Sequence, residues 1–204
     1  MSYDSYVHRV NPGEAKAPIL FVFHGTGGDE NQFFDFGCCL LPNATVVSPR
    51  GDISEHGAAR FFRRKAEGVY DCEDLARATN RMSGFVKANR EKYQAGPVIG
   101  LGFSNGANIL ASMLIYEPGL FDAAVLMHPL IPFEPEARGQ NASGRVLITA
   151  GEQDRIAPSE TTMSLAAYLK RSGDEVSLEW HEGGHEIRSN EIEAVKEFVA
   201  AYRS

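Results

Sequence analysis

The sequence predicts an α/β fold: a mainly parallel, doubly wound sheet with helices on both faces. Three observations predict it. Short runs of near-continuous hydrophobicity recur, each closed by glycine, proline or a polar turn, as strands buried on both faces require. Stretches of helical character lie between those runs. No internal repeat, low-complexity tract or linker interrupts the alternation, so right-handed crossovers within one domain over residues 1–204 are the expected topology.

The strand runs are "PILFVFHG" (18–25), "TVVSPRG" (45–51), "PVIGLGFS" (97–104), "DAAVLMHP" (122–129), "RVLITAG" (145–151) and "VSLEWHEG" (176–183). A helix is predicted over 71–93, because Asp71, Glu73 and Asp74 favour the positive end of a helix dipole. A second follows "GFSNG" over 105–116. A third, 158–172, opens with Pro158 in its first turn and stops at Gly173. The last, about 190–203, is predicted with Asn190 as cap, Glu193 three residues on, and Ile192, Val195, Phe198, Val199 and Tyr202 on one face.

Composition narrows the function. A chain of 204 residues with 43% hydrophobic content can bury one sizeable core. Its net charge of −7 lacks the basic face that phosphate neutralisation demands, so nucleic acid is not an expected partner. No apolar run approaches the roughly 18 residues of a membrane span. The opening "MSYDSYVHRVNPG" lacks the charged and apolar regions of a signal peptide. Cys38, Cys39 and Cys72 are an odd count without C-x-x-C spacing, which predicts a reducing, cytoplasmic setting. The adjacent pair is expected to be buried, and Trp180 to pack into the core.

Ligands of such sheets gather at the carboxyl ends of the strands. After "VIGL" comes Gly102-Phe103-Ser104-Asn105-Gly106, a G-x-S-x-G pentapeptide between strand and helix. A sharp turn there needs glycine on either side and lifts the hydroxyl clear of the sheet. A serine attacks only when a base takes its proton and an acid orients that base. Hydrolases built on this turn place the acid and then the histidine later in the chain. Asp154 follows "RVLITAG", and His185 follows "VSLEW". Asp154 is preferred to Glu152 because it lies deeper in its loop before Pro158. The segment His24-Gly25-Thr26-Gly27-Gly28 follows the first buried strand. The Thr26 N–H is therefore the expected first oxyanion donor and the Asn105 N–H the second. His24 is expected to pin that loop.

These motifs resemble the carboxylesterase/phospholipase family of α/β hydrolases, which includes acyl-protein thioesterases and small bacterial esterases. The resemblance rests on "FHGTGGDENQF", "SPRG", "GFSNGAN", "GEQDRIAP" and "GGHEI", in order over about 160 residues. It implies an α/β-hydrolase fold, a Ser104–Asp154–His185 triad, a Thr26/Asn105 oxyanion pair, and ester or thioester hydrolysis without a cofactor or metal. The segment "EHGAARFFRRKAEGVYD" resembles the bacterial esterase branch. Small to medium carboxylic esters are then the expected substrates, with thioesters and lysophospholipids as neighbouring classes. A homodimer is compatible with this reading, as is a minimal lid or none, since no long insertion follows His128.

Substrate contacts are less legible. "ARFFRR" (59–64) reads either as a packed aromatic pair with solvated charges or as a substrate wall. Phe61, Arg63 and Ile156 are its candidate substrate-binding residues, and "HPLIPF" (128–133) is a candidate acyl wall.

Two other functions compete. His181-Glu182-Gly183-Gly184-His185 matches the zinc pattern H-E-x-x-H. That pattern works on a helix, where Gly183 and Gly184 would each cost about 0.8–1.0 kcal/mol, and "EVSLEW" upstream reads as strand. The other rival is a non-catalytic small-molecule receptor on the same fold. A dinucleotide site is not predicted, because "GLGFSNG" has Asn105 where the third glycine would stand.

Overall fold

The computed structural model describes residues 2–135 and 144–203. The chain begins with β1 (His8–Asn11), β2 (Ile19–Phe23), α1 (Phe34–Leu40) and β3 (Thr45–Pro49). Two small hairpins follow: β4 (Ile53–Glu55) with β5 (Ala58–Arg60), then β6 (Arg64–Ala66) with β7 (Val69–Tyr70). Next come α2 (Cys72–Lys92), β8 (Val98–Phe103), α3 (Asn105–Tyr116) and β9 (Ala123–Met127). The described chain closes with β10 (Arg145–Gly151), α4 (Ser159–Ser172), β11 (Glu175–His181) and α5 (Ser189–Val199).

Seven strands form one sheet in the order β1-β3-β2-β8-β9-β10-β11. Only β1 runs antiparallel; the other six are parallel, as their unbroken hydrophobicity predicts. The sheet separates two apolar layers. Phe21 and Phe23 point with α2, α3 and α4 into one, and Leu20 and Val22 with α1 and α5 into the other. Each fully buried side chain of this size contributes about 1.5–3 kcal/mol. Pairing of Phe23 with Gly102, Phe103 with Met127 and Gly151 with His181 brings the carboxyl ends of five strands to one edge.

Helix ends follow local chemistry. The Asp71 side chain accepts from the Asp74 N–H at 3.2 Å, and Gly173 closes α4 at φ 108°. Pro158 flanks α4 rather than entering it. Helix α5 starts before Asn190: the Arg188 N–H donates to Glu191 at 2.7 Å. Asn190 instead ties α5 to β11, donating to Glu179 and to the Trp180 carbonyl.

Some expectations need correction. Trp180 is only half-buried, because β11 is an edge strand with one neighbour. Cys39 and Cys72 are exposed and Cys38 half-buried, so the adjacent pair is not core. The expectation of a minimal lid concerns the chain after His128, of which residues 136–143 lie outside the described residues. Among the described residues, no helix is long and apolar enough to cross a membrane.

Candidate active site

Ser104 stands between β8 and α3 at φ 51°, a left-handed conformation unusual for serine. The surrounding glycines permit the turn. A Cβ on Gly106 would lie 2.2 Å from the Phe23 carbonyl oxygen, so only glycine fits beside β2. The Ser104 N–H donates to the Met127 carbonyl at 2.9 Å, extending the sheet by one rung.

Ser104 Oγ lies 2.9 Å from His185 Nε2, and His185 Nδ1 lies 2.6 Å from Asp154 Oδ2. The other Asp154 oxygen accepts from the Ile156 and Ala157 N–H groups at 2.8 and 2.9 Å. Burial works against its charge, but the Ala157 N–H and the two imidazoles His128 and His185 outweigh it, holding its pKa below the ordinary 3.8. An ionised Asp154 places the His185 proton on Nδ1 and leaves the Nε2 lone pair facing the serine hydroxyl.

A third histidine enters the same carboxylate. His128, fully buried after β9, places Nδ1 2.9 Å from Asp154 Oδ2. Its Nε2 lies 3.1 Å from Oε1 of Glu191, also fully buried, and His181 Nε2 lies 3.2 Å from Oε2. These last two are close polar contacts rather than hydrogen bonds, since neither N–H is aligned with its acceptor. Glu191 also accepts from the Thr149 hydroxyl at 2.5 Å and from the Arg188 N–H.

His128, His181 and Glu191 could surround a cation, as could His128, Asp154 and His185. The proton positions argue against the first. His181 Nδ1 accepts from the Gly183 N–H at 3.0 Å, so its proton occupies Nε2, the atom that would ligate. Neither group pairs His181 with His185. The helix required by the zinc pattern is absent here: His181 ends β11, and residues 182–186 form bends.

Ser104 and His185 open on a cavity of about 300 Å³ walled by Arg60, Arg64, Tyr70, Asn108, Leu130 and Ile156. Thr26 and Asn105 border it beside the serine. Arg60 is buried and donates to the Thr26 hydroxyl at 2.7 Å, and Gly27 N–H donates to the Ala59 carbonyl at 3.0 Å. Hairpin β4–β5 thus fixes the loop after β2. The Asn105 side chain accepts from the Phe61 N–H at 2.8 Å.

A family model described as phospholipase/carboxylesterase matches residues 6–203. The chain belongs to the phospholipase/carboxylesterase family. Membership makes it a hydrolase acting on esters. It is similar to the Agrobacterium tumefaciens str. C58 protein Atu2452, of unknown function, at 65% identity and TM-score 0.96 over 99% of both chains. It is similar to a Bacillus cereus carboxylesterase at 33% identity and TM-score 0.92, over 98% of this chain and 95% of that one. A Bacillus subtilis (strain 168) protein named as a hydrolase, MhqD, is 36% identical over 182 residues, 88% of this chain and 91% of its own.

Within this family member the predicted residues divide. Ser104, Asp154, His185, Thr26 and Asn105 come together at one edge of the sheet. Ile156 borders the cavity and is 43% exposed. Phe61 and Arg63 do not reach it. Phe61 is buried against Phe23 and His24 in the core layer that also takes Phe62. Arg63 projects into solvent, and its N–H donates to Asp74. The neighbouring Arg60 and Arg64 are the arginines of the cavity, both paired with Glu55. His24 holds its loop as expected, with Nδ1 2.7 Å from the Gly25 carbonyl and Nε2 accepting from the Gly51 N–H at 2.9 Å. Sequence reading missed the partnership of His128 and Glu191 with Asp154. The one signal for His128 was its position just beyond a strand end.

Proposed function

We propose that the chain is a serine carboxylesterase that hydrolyses small to medium carboxylic esters through an acyl-enzyme on Ser104. One observation carries the reading: the unbroken line from Ser104 Oγ through His185 to Asp154, opening on a cavity. Ser104 attacks the ester carbonyl as His185 Nε2 takes its proton. Asp154 holds the imidazole in the competent tautomer and stabilises the imidazolium. The N–H groups of Thr26 and Asn105 take up the oxyanion charge. His185 then protonates the leaving alcohol, and water releases the acid by the same steps in reverse.

The cavity size supports short acyl groups. Leu130 and Ile156 offer an apolar surface, while Arg60, Arg64, Tyr70 and Asn108 suit an ester with a polar substituent. No cofactor takes part, and the three free cysteines fit a reducing, cytoplasmic setting. The test is hydrolysis of p-nitrophenyl acetate and butyrate with and without a fluorophosphonate, with the adduct located by mass spectrometry. Loss of turnover with the adduct on Ser104 is expected. Turnover that survives the phosphonate would overturn the reading.

A further inference from the structure

We propose that His128 is a positioning residue for the Ser104–His185–Asp154 group, held as a cation between Asp154 and Glu191 so that one buried carboxylate is neutralised while the other orients His185. The proposal rests on the serine esterase reading above.

Three observations carry it. First, both His128 ring nitrogens lie against carboxylates: Nδ1 is hydrogen-bonded to Asp154 at 2.9 Å, and Nε2 lies 3.1 Å from Glu191 as a close contact without hydrogen-bond alignment. A neutral ring has one N–H, so its other nitrogen would turn a lone pair toward a carboxylate oxygen. Second, Glu191 is built to be ionised. Thr149 and Arg188 donate to it, and His181 Nε2, whose tautomer is fixed by the Gly183 N–H, faces its second oxygen. Third, His128, just after β9, sits at φ 52°, matching the 51° of Ser104 just after the neighbouring strand β8. Left-handed backbone at a non-glycine residue costs about 1–2 kcal/mol and persists where the surroundings enforce it, most often at functional sites.

The charges close consistently. Among the described residues, the charged or titratable groups in contact with His128 are Asp154 after β10, His181 at the end of β11, His185 in the loop beyond it, and Glu191 on α5. Arg188 turns its guanidinium to Glu186 at the rim. With His128 charged and Asp154 and Glu191 ionised, the three buried groups carry one net negative charge; with His128 neutral they would carry two. Burial opposes charge on His128, but the contacts with Glu191 and Asp154 outweigh it and raise its pKa above 6.5.

The consequence falls on the base. The His128 and His185 rings lie 5.1 Å apart. Asp154 favours a proton on His185, and a cation on His128 opposes it. Removing that cation lets His185 be protonated, and so inactivated, at higher pH. A purely structural histidine would change the rate at every pH without moving the profile.

Two measurements on the whole chain test this. Nitrogen-15 NMR of histidine-labelled protein reads the protonation of His128 at pH 7.5, assigned by the signal missing in His128→Asn, with Glu191→Gln as a second assignment. An imidazolium is expected in the wild type; a neutral ring overturns the proposal, whether or not His128→Asn folds. The pH profile of kcat/KM for p-nitrophenyl butyrate is then compared for the wild type, His128→Asn and Glu191→Gln. Asparagine keeps a donor toward Asp154 without the charge. Its acid limb should move up by about one pH unit, a roughly tenfold loss on the acid side. Fluorophosphonate labelling of Ser104 with an unmoved limb in both variants overturns this proposal alone. No label on wild-type Ser104 overturns the esterase reading and this proposal with it.

Discussion

Gly102 and Gly106 face each other across the serine turn so closely that a Cβ on Gly102 would stand 2.5 Å from the Gly106 carbonyl oxygen. Both neighbours are backbone, which cannot swing aside. Gly106→Ala, whose Cβ would meet the Phe23 carbonyl, should therefore cost at least about 3 kcal/mol, the upper end of overpacking. In a chain of this length that is a fall of roughly 6–12 °C in Tm, read by thermal melting. An unchanged Tm would mean that the turn is not this tight.

The proposed chemistry separates from the fold at Ser104 and Asp154. Ser104→Ala should lower kcat by several orders of magnitude, and Asp154→Asn by about 10⁴, the loss seen when a serine-hydrolase triad loses the correct histidine tautomer. Circular dichroism of Ser104→Ala should match the wild type. Retention of most activity in Ser104→Ala would remove the serine from the mechanism.

Stability should depend on pH in two opposed ways. Burial raises the pKa values of Asp154 and Glu191, but their hydrogen bonds outweigh it and hold both below the ordinary 3.8 and 4.5. A depressed carboxylate stabilises fully above its ordinary value, and that contribution is lost as pH falls through the folded value. His128, raised above 6.5, stabilises fully below 6.5 and loses that contribution as pH rises through its folded value. Urea titrations from pH 3 to 9 should show both losses. Glu191→Gln, which removes one partner of His128, should flatten the alkaline one, and an unaltered alkaline limb would contradict this.

How far the sequence could be read depends on where each signal resides. The six parallel strands are legible because burial on both faces demands continuous apolar runs, and Ser104 because its turn demands glycines. Strand β1 is hidden because His8 to Asn11 form a half-exposed edge with little apolar pattern. Helix α1 is hidden by Gly37, which breaks helical character yet lets the helix lie on the sheet, where a Cβ would stand 3.1 Å from Val22 and Val46. Phe61 and Arg63 are not cavity residues although Arg60 and Arg64 are. The segment from the end of β5 buries Arg60, Phe61 and Phe62 in succession, and no periodic pattern reveals which of them faces the site. The Asp154–His128–Glu191 contact joins three elements, and no local spacing encodes it.

Thr26 ties the proposed oxyanion loop to the β4–β5 hairpin through Arg60. Thr26→Val keeps the shape but leaves a buried guanidinium one acceptor short, at a cost of about 1–3 kcal/mol. The loop carrying the proposed oxyanion N–H should loosen, lowering kcat roughly tenfold or more with less change in KM. Steady-state kinetics and a melt on the same sample check both effects. A change confined to KM would place Thr26 in binding instead.

The "HEGGH" segment gives the last prediction, because its two histidines do different work. His185 Nε2 lies 2.9 Å from Ser104 Oγ, while His181 accepts from the Gly183 N–H and turns Nε2 to Glu191. Prolonged dialysis against a chelator should leave p-nitrophenyl butyrate hydrolysis within about twofold, since no proposed step uses a metal and the His181 proton sits where a ligand lone pair would be needed. His181→Ala should instead act through stability. It leaves the Gly183 N–H unpaired and strips one partner from Glu191, costing about 1–3 kcal/mol. The two treatments are informative together: activity abolished by chelator and restored by zinc would make His181 a ligand, whereas a lowered Tm with chelator-resistant turnover assigns it to the scaffold beneath the base.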